Sequence, residues 1–223
     1  RALVQKYFGD LPAGPQPSPI LDVEPVNLTE EKIIRKTDDV PHNKVWIAWH
    51  SPAVYQPGDA ELDTLSSILS SGKDSRLYQA LVEQNQLAQD VSAYQVSMLL
   101  GSFYVVEATA SEGVTPDELV AAIDANLSAI KESGVTDNEI ELAKINWEAS
   151  FFRRMSTIGA KANQLNQYYI QTGDTDYIAK DLARFQNVTA DGVKRAINAL
   201  DSGRVVLHIG PEAKDEQPPS EGK

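Results

Sequence analysis

Short stretches in which apolar and polar side chains alternate recur along the chain, the pattern of β-strands with one buried face. Strands are predicted over 31–37, 44–50, 89–99, 102–110 and 204–210. The turn at 38–41 separates the first two strands, and Gly101 separates the two central ones. Because strands and helices do not alternate one for one, we expect a largely antiparallel sheet of five to six strands.

Other stretches place apolar residues three and four positions apart, as helices with one buried face do. They predict helices over 57–70 and 75–86, joined by a glycine-containing break at 70–74. Thr115 and Thr136, each followed three residues later by glutamate, mark two further helix starts. The first of these helices ends at Gly134, and the second continues toward Tyr169, while shorter helices are expected at 175–186 and 189–200. The predicted fold class is α+β, two layers with the helices on one face of the sheet.

Proline and glycine divide the chain into four regions. Residues 1–9 have apolar positions at helical spacing before Gly9, and we interpret them as the end of a preceding domain's last helix. Residues 10–29 are rich in proline and predict a linker, and 30–210 hold the domain itself. Residues 211–223 predict a disordered tail. We therefore expect this chain to be a piece of a longer protein.

Composition excludes several functions. The 223 residues are 42% hydrophobic and 23% charged, which suits a packed domain. A net charge of −12 disfavours nucleic-acid binding, and no apolar run reaches the roughly 20 residues of a membrane span. Cysteine is absent, which excludes thiol nucleophiles and thiolate metal sites.

Catalytic patterns are missing from this sequence. The three histidines, at 42, 50 and 208, lie in no zinc-binding motif, and we expect them to pack or to face solvent. Ser70 to Lys73 does not match a serine-nucleophile turn, and Gly72 to Ser75 does not match a phosphate loop. Asp137, Glu139 and Glu141 are interpreted as surface carboxylates near a helix start. The aromatic residues between Trp147 and Tyr169 are expected to be buried against the sheet.

One segment has a more specific pattern than the alternation and helical spacing found in globular proteins generally. Residues 65–91 combine two helices, a turn of small residues ending in Ser75-Arg76-Leu77, and then Leu81, Glu83, Leu87, Ala88 and Val91. This segment resembles the second type of domain in the pitrilysin/insulinase (inverzincin) family of zinc peptidases. The flank Tyr7-Phe8-Gly9-Asp10-Leu11-Pro12 and the proline-rich linker are similar to that family as well. The resemblance covers nearly the whole chain.

The resemblance implies a role without catalysis. In this family zinc is held by H-x-x-E-H and a distant glutamate in another domain, so no metal and no cofactor are expected in this chain. The zinc-free half normally contributes an arginine and a tyrosine seven positions apart, and the corresponding positions here hold Val82 and Gln89. Neither side chain can supply that chemistry. The resemblance suggests Asp74, Ser75, Arg76, Val82 and Gln89 as substrate-binding positions, with no catalytic residue.

The leading hypothesis is therefore the carboxy-terminal, non-catalytic domain of a bacterial zinc protease, inactive when isolated. It would form the wall of a peptide chamber and contact the zinc-bearing domain and a second family half or subunit. A zinc-free half that has lost its pair, a structural or assembly subunit of the same family, and an unrelated acidic binding module are the alternatives. Peptides, preferably basic, are the expected substrates, with no nucleic-acid partner and no membrane span. A periplasmic or otherwise exported location is favoured over the cytoplasm.

Overall fold

A computed structural model describes residues 1–12, 14–15, 28–200 and 203–212. Its five strands are β1 (Lys32–Asp38), β2 (Lys44–Ser51), β3 (Ala88–Val96), β4 (Ser102–Ala110) and β5 (Arg204–Pro211). They form one sheet in the order β1-β5-β2-β4-β3, in which β1 and β5 are parallel and every other pair is antiparallel. The predicted α+β class and the mainly antiparallel sheet are confirmed. The sequence did not indicate that β5 separates β1 from β2.

The alternation along the strands sorts their side chains onto two faces. Val45, Ile47 and Trp49 on β2 stand opposite Ala108, Val106 and Tyr104 on β4, and all six are buried. Every strand residue of the main hydrophobic core lies on this face. Because successive strand side chains point to opposite sides, the residues between them form the other face of the sheet.

Helices cover the core face. The helices are α1 (Ala2–Phe8), α2 (Asp59–Ser70), α3 (Pro116–Ser133), α4 (Asp137–Arg154), α5 (Ile158–Thr172), α6 (Ile178–Gln186) and α7 (Ala190–Ala199). Helix α2 packs on β3, and α3 packs on β2 and β4, while α4, α6 and α7 contact α2. The hydroxyls of Thr115 and Thr136 accept hydrogen bonds from the amides of Glu118 and Glu139, so both predicted capping boxes are present.

The prediction of one long helix from Thr136 toward Tyr169 is wrong, because the structure has two separate helices there. Helix α4 ends at Arg154, and the hydroxyl of Thr157, whose backbone is extended, caps the start of α5 by accepting a hydrogen bond from the Ala160 amide. The expected burial of its aromatic residues against the sheet is also only partly right. Trp147 stacks on Phe185 of α6, with ring centroids 3.5 Å apart, and Phe152 and Tyr169 are exposed.

The second helix predicted over 75–86 is a π-helix at Tyr78–Gln84, a wider turn than the α-helix that the apolar spacing indicated. The other boundaries differ from prediction by a few residues. Most of the predicted linker at 10–29, and residues 213–223 of the predicted disordered tail, lie outside the described residues. The division into domains stays a prediction.

Candidate functional site

The family-like turn between α2 and the π-helix holds three of the five predicted binding residues. Asp74 is exposed, whereas Ser75 is buried, and its hydroxyl donates a hydrogen bond to the Gly72 carbonyl over 2.6 Å. Asp74 and Ser75 line one shallow depression together with Glu139. Ser75 therefore closes the turn, and Asp74 is the residue of this pair whose side chain is free to meet a ligand.

Arg76 is engaged within the protein. Its guanidinium donates to both carboxylate oxygens of Glu139, over 2.6 and 2.8 Å, and to the Gly134 carbonyl over 3.2 Å. The hydrogen bond from Arg76 is the main reason why the pKa of Glu139 falls to about 2. The interpretation of Glu139 as an ordinary surface carboxylate is therefore wrong, because it joins the start of α4 to the family-like turn.

Val82 and Gln89 lie apart from that turn. Val82 is half-buried on the π-helix and packs against the hydrophobic core. Gln89 lies at a β-bulge, where the pairing of β3 with β4 shifts by one residue, and its amide donates to the Ala110 carbonyl over 3.0 Å. The structure thus brings Asp74, Ser75 and Arg76 together and places Val82 and Gln89 in separate surroundings. Their role in substrate binding stays a prediction.

The face of the sheet opposite the core is a second candidate surface, separate from the predicted binding residues. Tyr94 is 36% exposed and Phe103 is 37% exposed, and both lie on this face beside the buried Val105. Trp46 and Tyr94 donate hydrogen bonds from neighbouring strands to the same carboxylate, that of Glu107. None of the core residues contributed by the described helices lies on this side. We name it the open face and define it by strand positions 32–38, 44–50, 90–96, 103–109 and 205–211, taking alternate residues.

A buried polar cluster between α2, α5 and α6 escaped the sequence analysis. Arg184 on α6 lies between Asp59 and Asp181, with nitrogen–oxygen distances of 2.7 and 2.9 Å, and its guanidinium stands over the Tyr55 ring. Asp181 also accepts a hydrogen bond from the Tyr168 hydroxyl over 2.8 Å. Asp59 and Asp181 are only 1% and 5% exposed, so their charges depend on these partners.

A cleft between α2 and α4 opens beside this cluster. Its volume is about 350 Å³, and its walls carry Asp63, Arg154 and the ring of Trp147. A smaller cavity is lined by Asp59, Asp181 and Arg184, and it shares Asp63, Arg154 and Trp147 with the cleft. Burial, reinforced by the Asp59 carboxylate, raises the pKa of Asp63 to about 7.

The described residues do not fit a zinc site. They include no group of three or more histidine, aspartate or glutamate side chains arranged to hold a metal ion. His208 is buried on β5, His50 is exposed at the end of β2, and His42 lies in the turn before that strand. Within the described part of the chain, no helix combines the length and hydropathy that a bilayer span requires.

The fold and these sites define an α+β domain, built around an open sheet face and a turn that carries the family motif. A family model described as the peptidase M16 inactive domain matches residues 1–146. The chain belongs to this family, and the resemblance drawn from residues 65–91 is confirmed.

Curated and solved relatives agree with this assignment. The chain is 28% identical to the zinc protease PqqE of Helicobacter pylori over 137 residues, which is 59% of this chain and 31% of that protein. A crystal structure of a protease from Helicobacter pylori has a TM-score of 0.83 at 21% identity, covering 94% of this chain and 52% of the other. This chain therefore spans about a third to a half of these relatives.

Two further structures share the fold at low identity. The peptidase M16 inactive domain from Pseudomonas fluorescens has a TM-score of 0.79 at 18% identity, covering 95% of this chain and 50% of the other. The periplasmic protease PqqL of Escherichia coli has a TM-score of 0.71 at 18% identity, covering 95% of this chain and 24% of the other.

Proposed function

We propose that this chain is the non-catalytic domain of a zinc peptidase and that its open face lines the chamber in which unfolded peptides are held. The observation that carries the proposal is the row of partly exposed aromatic residues on that face, Trp46, Tyr94 and Phe103. Aromatic side chains bind extended peptides through large apolar contacts at little entropic cost. Zinc chemistry would come from another domain, since the described residues of this chain do not fit that ion.

The charges on the open face refine the expected substrate. Its lysines, at 32, 36 and 44, are matched by three carboxylates, at 38, 90 and 107. These charges cancel, so the net charge of −12 arises from the rest of the chain, and the open face itself offers no strong attraction to basic peptides. We infer that contacts with apolar side chains dominate peptide binding here and that the preference for basic peptides is weak.

Contacts with other domains would use exposed apolar side chains of the helices. Two groups of apolar residues are each more than 60% exposed. One group is on α1 and comprises Leu3, Val4, Tyr7 and Phe8, and the other is on α4 and α5 and comprises Ile145, Tyr169 and Ile170. Such a density of exposed apolar residues is typical of surfaces that meet a partner. We assign α1 to the contact with the zinc-bearing domain and the α4–α5 surface to the contact with a second family half.

The experiment is photo-crosslinking of this chain with an unfolded apolar peptide. A photoreactive phenylalanine analogue would replace Tyr94 or Phe103 on the open face and, as a matched control, Tyr169 on α5. We expect crosslinks from both open-face positions and none from the control. Crosslinks from Tyr169 alone, or none from the open face, would contradict the chamber-wall role. Zinc-dependent peptide hydrolysis by the purified chain would contradict its non-catalytic role.

Export is the proposed location. Its support is the similarity in fold to the periplasmic protease PqqL, together with a chain that contains no cysteine and so does not depend on the redox state of its compartment. Fractionation of the source cells would test this proposal. We expect to find the protein among the exported proteins, and its recovery in the cytoplasm would contradict the proposal.

A further inference from the structure

The cleft between α2 and α4 is lined by an acidic residue, Asp63, and a basic residue, Arg154, that form no direct ion pair. Arg154 is close enough to lower the pKa of Asp63, yet no salt bridge within 4.0 Å joins them or pairs either residue with another described side chain. Arg184, the other nearby cation, is already held by Asp59 and Asp181. Asp63 therefore stands partly buried without a direct partner, which is an unfavourable state for a carboxylate.

The rest of the cleft supplies an apolar wall and polar groups. Trp147 is held by stacking on Phe151 and on Phe185, with ring centroids 5.1 and 3.5 Å away. Asn146, Ser67 and Ser150 also line the cleft. These residues offer hydrogen-bond donors and acceptors around one aromatic ring.

We propose that this cleft binds a small zwitterion with an apolar side chain, either a free amino acid or a dipeptide. Asp63 would accept hydrogen bonds from the ligand's ammonium group, Arg154 would donate to its carboxylate, and its side chain would lie against Trp147. A simple cation would be repelled by Arg154, and a simple anion by Asp63. A volume of about 350 Å³ is near the lower end for ligand pockets and excludes a long peptide.

The site is separate from the proposed peptide chamber. It lies among the helices, whereas the open face is on the opposite side of the sheet. Its test therefore does not depend on whether the chamber-wall role is correct.

Nuclear magnetic resonance of the tryptophan indole groups provides the test. The chain has three tryptophans, so the ¹⁵N-labelled protein gives three indole signals, and a Trp147→Phe variant identifies the one from the cleft. Leucine and leucyl-leucine are the probes, and leucinamide and N-acetyl-leucine are their charge-blocked controls. We expect at least one zwitterionic probe to shift the Trp147 signal at millimolar concentration, to leave Trp46 unchanged, and to bind about tenfold more tightly than either blocked form. The tighter of the two probes distinguishes an amino-acid site from a dipeptide site.

Charge variants test each side of the cleft. Asp63→Asn and Arg154→Gln should each weaken binding about tenfold, since each removes one charge-assisted contact. The matched controls Glu148→Gln and Arg153→Gln change exposed charges outside the cleft and should leave the affinity unchanged. The signals of Trp46 and Trp49 report whether each variant keeps its fold.

The pH dependence adds a second readout. Asp63 faces Asp59, Asp181, Arg184 and Arg154, and because its pKa is about 7 it is largely protonated at low pH. Binding should strengthen about tenfold between about pH 5.5 and about pH 7.5 in the wild type and stay constant in Asp63→Asn. The proposal is overturned if no zwitterionic probe moves the Trp147 signal, if a blocked probe binds as tightly, or if the control variants weaken binding equally.

Discussion

At the scale of single residues, the structure changes the meaning of the family-like motif. The resemblance suggested Arg76 as a substrate-binding residue, but its guanidinium donates hydrogen bonds to Glu139 and to the Gly134 carbonyl. Both partners of the ion pair are only about a quarter exposed, at 27% and 26%. Such a pair is better shielded from water than an ordinary surface salt bridge, and its two parallel hydrogen bonds fix its geometry.

Glu139→Gln tests the structural role of this pair. Glutamine can keep the capping interaction at the start of α4 but loses the charge that holds Arg76. We expect the free energy of unfolding at neutral pH to fall by about 1–2 kcal/mol, measured by urea denaturation. Glu141→Gln, which removes a 65% exposed carboxylate on the same helix, is the matched control and should change stability little.

The same pair predicts how stability depends on pH. The pKa of Glu139 is lowered from 4.5 to about 2 in the folded protein, so its contribution is present above about pH 4.5 and is lost as the pH falls toward 2. The difference in stability between wild type and Glu139→Gln should therefore shrink over that range. Equal stability of the two proteins at neutral pH, or a constant difference down to about pH 2, would contradict the assignment.

At the scale of elements, the sequence predicts what depends on local pattern. Alternation located the strands, and the threonine-glutamate spacing located the starts of α3 and α4. The π-helix and the break before Thr157 were missed, because apolar spacing differs little between α- and π-helical turns and continues across the break. In retrospect, Thr157 was a usable signal, since threonine often caps a new helix.

At two glycines, the local backbone predicts opposite changes in stability when alanine replaces glycine. Gly58 precedes α2 with a φ of 98°, and an added Cβ would lie 3.1 Å from Pro52. Gly159 lies in the first turn of α5, and an added Cβ would meet nothing within 4 Å. We expect Gly58→Ala to destabilise the protein by about 1 kcal/mol or more and Gly159→Ala to stabilise it by about 0.5 kcal/mol.

Thermal and urea unfolding of the two glycine variants would measure these changes. Each variant serves as the control for the other, because both add one methyl group. Changes of the same sign in both variants would contradict the assigned backbone conformations.

At the scale of the whole molecule, the polar cluster around Arg184 was beyond the reach of sequence analysis. Asp59 and Arg184 are separated by 125 positions, and no local pattern connects them. Their contact becomes visible only when α6 packs on α2, as does the cleft that Asp63 shares with Arg154. Local patterns therefore gave the fold class and the family-like turn, while the interior charges required the tertiary structure.

Arg184→Met tests whether this cluster joins the outer helices to the rest of the domain. The substitution keeps most of the side chain's volume but leaves the carboxylates of Asp59 and Asp181 buried and uncompensated. We expect the free energy of unfolding to fall by about 3–5 kcal/mol, and hydrogen exchange to accelerate first in α6. Arg153→Met, which alters an exposed arginine at the end of α4, is the matched control and should have little effect.

A triple variant separates lost attraction from unpaired charge. In Asp59→Asn/Asp181→Asn/Arg184→Met the buried negative charges are removed together with the arginine, and the asparagines can still accept the hydrogen bonds from Ser97 and Tyr168. Because most of the cost of Arg184→Met comes from uncompensated carboxylates, the triple variant should recover much of the lost stability. If the triple variant were less stable than Arg184→Met, attraction to the arginine would not be the reason why these carboxylates are tolerated in the interior.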